Sequence, residues 1–367
     1  MSTAPRIIAL VPAHNEQRLI GVTIKSLFEQ RVPPTRVLVI GDNCTDDTIS
    51  VVRGLMATYP TLDVMETKNN TAKKAGALNQ GIATLMPNEW DFVLQMDSDT
   101  LLDSELVKEA LLEFGSNPNL GGVCSRCGVA PLEEGASRWA RLLWRYQNIE
   151  YGIDDSYRIE RRGKIKVLAG AVTLYRMDVL KKVSKKRSCD GRIMVWEERS
   201  LVEDYTLTLD VREMGYDALA GVRMYSWTDV PLTIRGPRGL LKQRDRWYGG
   251  TQVELRKRRF SPLVRKERLI HAFRLLAIGF KFLYLSAMVF LLSLIFFTDM
   301  KISDLQMHPL TILMVPIALS NVVQRGKYIQ GRDRVQSLMV YTLLPMELYM
   351  LWDDFLVLRS YKERTSW

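Results

Sequence analysis

The sequence predicts an α/β protein with a mostly parallel sheet and flanking helices, continued by a hydrophobic helical region at its C-terminal end. Three observations predict it. Short apolar segments alternate with segments of helical spacing through the first third of the chain. Aspartates stand where two of those segments end, Asp42 after VLVIG and Asp97 after FVLQM. A run of 23 residues, 275–297, carries Lys281 as its one charge.

The elements follow in order. RIIALVPA reads as a first strand, and residues 16–30 as a helix with Leu19, Ile20, Ile24, Leu27 and Phe28 on one face. RVLVIGD is a second strand, 48–58 a helix, LDVMET a third strand and 74–86 a helix. DFVLQMD is a fourth strand, followed by a helix over 104–114. Strands alternating with helices make βαβ units, and short apolar strands imply a sheet covered on both faces. In such sheets ligands bind at the carboxyl ends of the strands, where Asp42 and Asp97 lie.

Beyond Gly121 the pattern loosens. GGVCSRCGVA reads as a strand carrying two small thiols, because no second CxxC follows to complete a zinc site. Four scattered cysteines imply reduced thiols in a cytosolic setting. Residues 137–149 form an amphipathic helix with Trp139, Leu142, Leu143 and Tyr146 on its packed stripe, and interfacial membrane contact is its second reading. The start of the chain lacks a signal-peptide layout.

As a helix, 275–297 is about 34 Å long, enough to cross a bilayer core. Residues 310–320 are apolar but broken by Pro316, and 335–358 carry Glu347, Asp353 and Asp354, so these read as re-entrant, interfacial or buried helices. The domains predicted are 1–235 (catalytic), 236–274 (a basic amphipathic segment) and 275–367 (hydrophobic helices for membrane association, packing or an oligomer interface).

Composition excludes disorder, with 47% hydrophobic and 25% charged residues. The net charge of +10 is local, because residues 235–274 hold thirteen Lys or Arg against three Asp or Glu. Such a patch suits anionic lipid or a phosphate-bearing ligand, and its position before 275 predicts a cytoplasmic location at the inner face of a membrane. The three histidines form no cluster, and no Ser-His-Asp pattern is present.

Asp97 and Asp99 leave a strand at i and i+2 and can point the same way. A divalent cation relieves their repulsion, and a cation held by few protein carboxylates also binds substrate phosphates. One such triplet is common by chance. Here it stands in an ordered set: VPAHNE, VIGDNCTDDT, KKAGALNQGI, QMDSD, LVEDYTL and QRDRW.

This set resembles family 2 glycosyltransferases, over roughly residues 6–250. The resemblance implies a GT-A fold (Rossmann-like) and inverting transfer of a hexose or N-acetylhexosamine from a nucleotide diphosphate sugar. Pro12, Ala13, Glu16 and Asp42 match the nucleotide pocket, although Gly41 and Asn43 replace the first aspartate and the glycine of the family's DDG. Lys74, Gly76 and Asn79 match GKAGALN, with Lys73 where a glycine is usual. Asp97 and Asp99 match the DxD that holds Mn²⁺ or Mg²⁺. Glu203 and Asp204 match the acidic pair whose aspartate is the expected base. Gln243, Arg246 and Trp247 match QxxRW, expected at diphosphate and acceptor, with Arg244 a further donor. Gly170, in LAGAVTLYRMDVL, is expected to let the donor approach closely. Trp196 and Trp247 are candidates to stack on an acceptor sugar.

The chemistry is coherent by itself. Inverting transfer needs one base within reach of the acceptor hydroxyl, and positive charge at the leaving diphosphate. The implied partners are a nucleotide-sugar donor, most often UDP-linked for this motif set, a lipid, glycan or protein acceptor, and a membrane surface. Nucleic acid is not among them. Three rivals remain. DSDTLL resembles a haloacid-dehalogenase-type phosphatase loop, but Leu101 occupies its Thr/Val position. The basic patch alone fits a non-enzymatic anionic-surface binder. QxxRW also occurs in processive polysaccharide synthases, but one clean span makes a channel from a single copy improbable, so non-processive transfer is the expectation.

Overall fold

A computed structural model describes residues 4–86, 90–160, 165–188, 191–236 and 238–273, with isolated positions among 275–279 and 352–358. The chain forms two compact units, Met1–Lys242 and Gln243–Trp367.

The first unit opens with β1 (Ile7–Ala13), α1 (Ile20–Phe28), β2 (Arg36–Gly41), α2 (Thr48–Leu55), β3 (Leu62–Glu66), α3 (Lys73–Leu85) and β4 (Phe92–Met96). These are the predicted alternating elements with ends shifted by a few residues, α3 starting one residue before the predicted 74. Next come β5 (Thr100–Leu102), α4 (Leu106–Ser116), β6 (Leu120–Val129), α5 (Arg138–Glu160), β7 (Val172–Arg176), α6 (Met177–Arg187), α7 (Glu203–Glu213) and β8 (Asp217–Thr228).

The sheet order is β3-β2-β1-β4-β7-β6-β8-β5. The first four strands are parallel, as predicted. The other half is mixed, because β7 runs antiparallel to both β4 and β6, and β5 runs antiparallel to β8. The expectation of a mostly parallel sheet therefore describes one half of it. Two apolar layers cover the two faces. Leu78 and Ile82 of α3, Leu180 of α6 and Leu207 of α7 pack on one. Ile24 of α1, Val52 of α2 and Leu106 of α4 pack on the other. Burial on both faces explains why these strands read as unbroken apolar runs.

Two local readings change. The helix expected over 137–149 continues to Glu160. Its Trp139 is 74% exposed, whereas Leu143 and Tyr146 are buried, so Trp139 lies off the packed stripe. The thiol-bearing segment is the strand β6, and Cys124 and Cys127 form no disulfide.

Lys73 sits at φ +53°, left-handed backbone. This is the position where the related family carries glycine, and an L side chain there costs about 1–2 kcal/mol. Lys73→Gly is expected to raise unfolding free energy by about 1 kcal/mol in urea titration, because relief of strain outweighs the added chain entropy.

In the second unit, α8 (Leu240–Lys257), which begins at the end of the first, leads to a helix over residues 262–273. Gln252 Nε2 donates to the Val357 carbonyl at 3.3 Å. Among the described residues no helix is long and apolar enough to cross a membrane. The hydrophobic runs predicted at 275–297, 310–320 and 335–358, with any oligomer contact they make, lie outside the described residues apart from those isolated positions.

Candidate active site

The carboxyl ends of the parallel strands form one edge of the site. Pro12 and Ala13 are buried at the end of β1, beside Ile40 and Gly41 of β2. The Asp42 amide donates to the Ala13 carbonyl at 2.8 Å, so Asp42 stands directly beyond the paired strands. Its Oδ1 accepts from Thr67 Oγ1 at 2.8 Å, Asn70 Nδ2 at 2.7 Å and Asn43 Nδ2 at 3.1 Å. Three donors on one oxygen fix the carboxylate's direction. His14 Nδ1 lies 2.6 Å from the Asp42 carbonyl oxygen and ties the β1 and β2 loops together.

The departures from DDG have local causes. A Cβ on Gly41 would lie 2.2 Å from Ile49 Cδ1, so a side chain there needs the buried Ile49 of α2 to move aside. Asn43 has φ +50°, which asparagine tolerates better than most residues other than glycine.

Asp97 and Asp99 lie between β4 and β5. Lys74, at the start of α3, pairs with Asp97, lies 3.6 Å from Glu203 and donates to the Gly170 carbonyl at 3.3 Å. The neighbouring carboxylates hold its pKa above the ordinary lysine value despite burial. Asp99 faces the opposite balance. Burial, and then the charges of Asp97, Glu16 and Asp229, push its pKa up to about 7. Thr228 Oγ1 and Thr100 Oγ1 each donate to Asp99 Oδ1 at 3.3 Å. Glu16 pairs with Arg238 at 3.1 Å, and burial raises its pKa.

Crowded hard carboxylates of this kind match what a divalent cation takes as ligands. Among the described residues no group of three or more His, Cys, Asp or Glu stands in metal-holding geometry. Asp97 and Asp99 would therefore hold a cation through two side chains, leaving other positions for water and phosphate oxygen.

The antiparallel insertion of β7 brings Asp204 beside this pair. Asp97 N–H donates to the Ala171 carbonyl at 2.9 Å, which carries Gly170 to the end of β4. Gly170 N–H donates to Asp204 Oδ2 at 3.2 Å, and Tyr205 N–H to Asp204 Oδ1 at 2.7 Å. Asp204 lies in the first turn of α7, where backbone amides favour negative charge. Burial and then Glu203 nevertheless raise its pKa above the ordinary value, against the pull of Lys74. A raised, hydrogen-bonded carboxylate suits general-base work.

A Cβ on Gly170 would lie 2.8 Å from Lys74 Nζ and 3.4 Å from Asp204 Oδ2. Glycine here thus makes room for Lys74 and Asp204. Gly170→Ala is expected to keep the fold and lower turnover by about 10²-fold, the scale of an ångström-level misplacement, in a single-turnover assay.

Of the residues that shape the site, Gln95, Asp229 and Arg238 were not singled out from the sequence, whereas Asn79 and Trp196 were. Gln95 Oε1 accepts from Trp196 Nε1 at 2.8 Å, and its Nε2 faces the Gly170 carbonyl at 3.5 Å. Asn79 Oδ1 accepts from the backbone amides of Val195 and Trp196, both at 2.9 Å. Trp196 is fully buried, so it offers no face to an acceptor sugar. Arg238 also donates to the carbonyls of His14 at 3.1 Å and Asn15 at 2.8 Å. A buried Gln two residues before the DxD was the available signal for Gln95. Asp229 and Arg238, brought to the site only by folding, gave none.

Gln243, Arg246 and Trp247 are half-buried in the second unit. Arg244 beside them is 1% exposed, donates to Gln243 Oε1 at 3.0 Å and stacks over Trp247 at 4.4 Å.

Residues 5–250 match the family described as Glycosyltransferase like family 2, and the chain belongs to that family. It is 26% identical over 266 residues to a poly-beta-1,6-N-acetyl-D-glucosamine synthase of Staphylococcus epidermidis, covering 71% of this chain and 58% of that protein. A probable glycosyltransferase of Bacillus subtilis, YdaM, is 25% identical over 322 residues, covering 84% and 71% of the two chains. In structure, the chain is similar to the Pyrobaculum calidifontis mannosyltransferase PcManGT in complex with GDP-Man and Mn²⁺. That likeness has a TM-score of 0.60 and 16% identity, and covers 98% of this chain and 87% of the other. It shows the GT-A-like fold.

Proposed function

We propose that the protein is an inverting, non-processive glycosyltransferase that moves a hexose or N-acetylhexosamine from a UDP-sugar to a hydroxyl on a lipid, glycan or protein at the inner face of a membrane. One observation carries this reading. The Asp204 carboxylate, held by Gly170 N–H at 3.2 Å, is linked to the Asp97 end of the DxD through Gly170, whose carbonyl accepts from Lys74, and through Lys74, which pairs with Asp97.

In the reaction, Asp204 takes the proton of the acceptor hydroxyl as its oxygen attacks the anomeric carbon. The bond to the diphosphate breaks, and the leaving oxygen keeps the electron pair. Asp99 and Asp97 would hold Mn²⁺ or Mg²⁺, which supplies positive charge against the diphosphate when bound. Lys74 holds Asp97 in place and offsets its charge. Asp42, with its three fixed donors, and Glu16 shape the nucleotide end. The motif set puts N-acetylglucosamine and glucose ahead of mannose, and the name of the Staphylococcus relative favours N-acetylglucosamine. That name also keeps a processive product as the second reading.

A donor screen tests the reading. The protein is mixed with UDP-, GDP- and dTDP-sugars plus Mn²⁺ or Mg²⁺, with and without membrane extract, and released nucleoside diphosphate is recorded. Metal-dependent turnover of one donor is expected, and short products by mass spectrometry separate single transfer from polymerisation. No turnover with any donor, even with extract, overturns the proposal.

A further inference from the structure

The second unit contains a cavity of about 750 Å³ between the end of α8 and the helix over 262–273. Arg256, Arg265, Lys266, Arg268 and His271 line it, and no Asp or Glu does. Arg265 and Lys266 make no ion pair with any described residue. The rest of the wall is largely apolar, including Leu255, Leu269 and Leu275. Around it the surface is also apolar, with Phe260 85%, Leu269 58%, Ile270 51%, Phe273 63% and Leu276 57% exposed. The basic side chains lie toward the start of the 262–273 helix and the apolar ones toward its end.

We propose that this cavity binds the phosphate headgroup of an anionic phospholipid, with the apolar rim entering the upper acyl layer. Cationic walls without a carboxylate select an anion. Apolar walls and rim would be left wet by free phosphate or by a nucleic-acid backbone, and the lining offers no Phe, Tyr or Trp ring on which successive bases could stack. An amphiphile with one anionic end satisfies both halves. Its volume is that of a small-molecule site and exceeds a bare phosphate. The inference deepens the membrane-surface part of the proposed function and is independent of the transfer chemistry.

The test uses the full chain and sedimentation with vesicles of phosphatidylcholine, alone or with about a third phosphatidylglycerol. Partitioning is expected to rise about tenfold or more with phosphatidylglycerol, the scale of a few basic side chains at an anionic surface. Arg265→Glu with Arg268→Glu removes most of that rise. Lys181→Glu with Lys185→Glu on α6 makes the same charge change elsewhere and is expected to preserve it. Arg265→Gln with Lys266→Gln gives a milder loss, and circular dichroism confirms that each variant is folded. Equal binding to both vesicles overturns the headgroup site while leaving membrane association intact. Equal loss in the α6 variant overturns it in favour of a net-charge effect. Calorimetric binding of inorganic phosphate as tight as the vesicle binding overturns the lipid as its source. Absence of binding to either vesicle overturns both the site and the membrane reading.

Discussion

Asp204→Asn is expected to lower kcat by about 10³-fold while leaving donor binding within a few-fold of the parent, because it removes the base and keeps the side chain's size and one of its two acceptor oxygens. Pre-steady-state release of nucleoside diphosphate, with donor affinity from calorimetry, checks it. A comparable loss of donor affinity would sink the assignment of Asp204 as base. The pH dependence follows from the same environment. The base works ionised, and burial with Glu203 beside it raises its pKa. The rate should therefore rise with pH through a limb lying above the ordinary carboxylate range, and fall away on the acid side as Asp204 gains a proton. A limb at the usual carboxylate position would contradict the buried setting.

Asp99→Asn should separate activity from stability. Loss of the cation's charge at the diphosphate is expected to cost about 10³-fold in turnover. The metal-free fold should gain about 1–3 kcal/mol at neutral pH, because ionised Asp99 is buried among Asp97, Glu16 and Asp229. The sign is that of an acid whose folded pKa, about 7, lies above its ordinary value: its ionisation weakens the native state as pH rises toward and past neutrality. Urea titrations with and without Mn²⁺ check both parts. The parent should gain stability from the metal and the variant should not. A variant that loses stability without metal would show that Asp99 has a structural role instead.

The half of the fold built from β1 to β4 was legible because each element announces itself locally. Ile7 to Ala13 and Val37 to Gly41 are apolar without interruption, and turn residues separate them from helical runs. The antiparallel half was not legible. β5 is three residues long and exists only through pairing with Ser226 to Thr228, which no local pattern reports. Likewise nothing near Val172 says that it pairs with Met96. The carboxylates of the site could be read because Asp42 and Asp97 interrupt apolar strands, and the family resemblance pointed to Asp204. Their contacts could not: Gln95 was not singled out, and although Asn79 was named, nothing local says that the two reach Trp196, 101 and 117 residues away, by side-chain amides. The basic segment showed its charge in the sequence, but its cavity depends on how residues 262–273 fold back on α8.

The pairing of Thr100 with Thr228 also sets an order of events during synthesis. The strand that follows Asp99 has no partner until β8 has left the ribosome, well over a hundred residues later. At a typical elongation rate that interval is roughly 6–25 s. Through it the nascent chain can assemble the parallel sheet, while the acidic turn has Lys74 and Thr23 against it but not Thr228. Chains released before β8 should therefore be folded at one edge and unable to hold a cation. A stalled or truncated product would then compete for nucleotide without turning over donor.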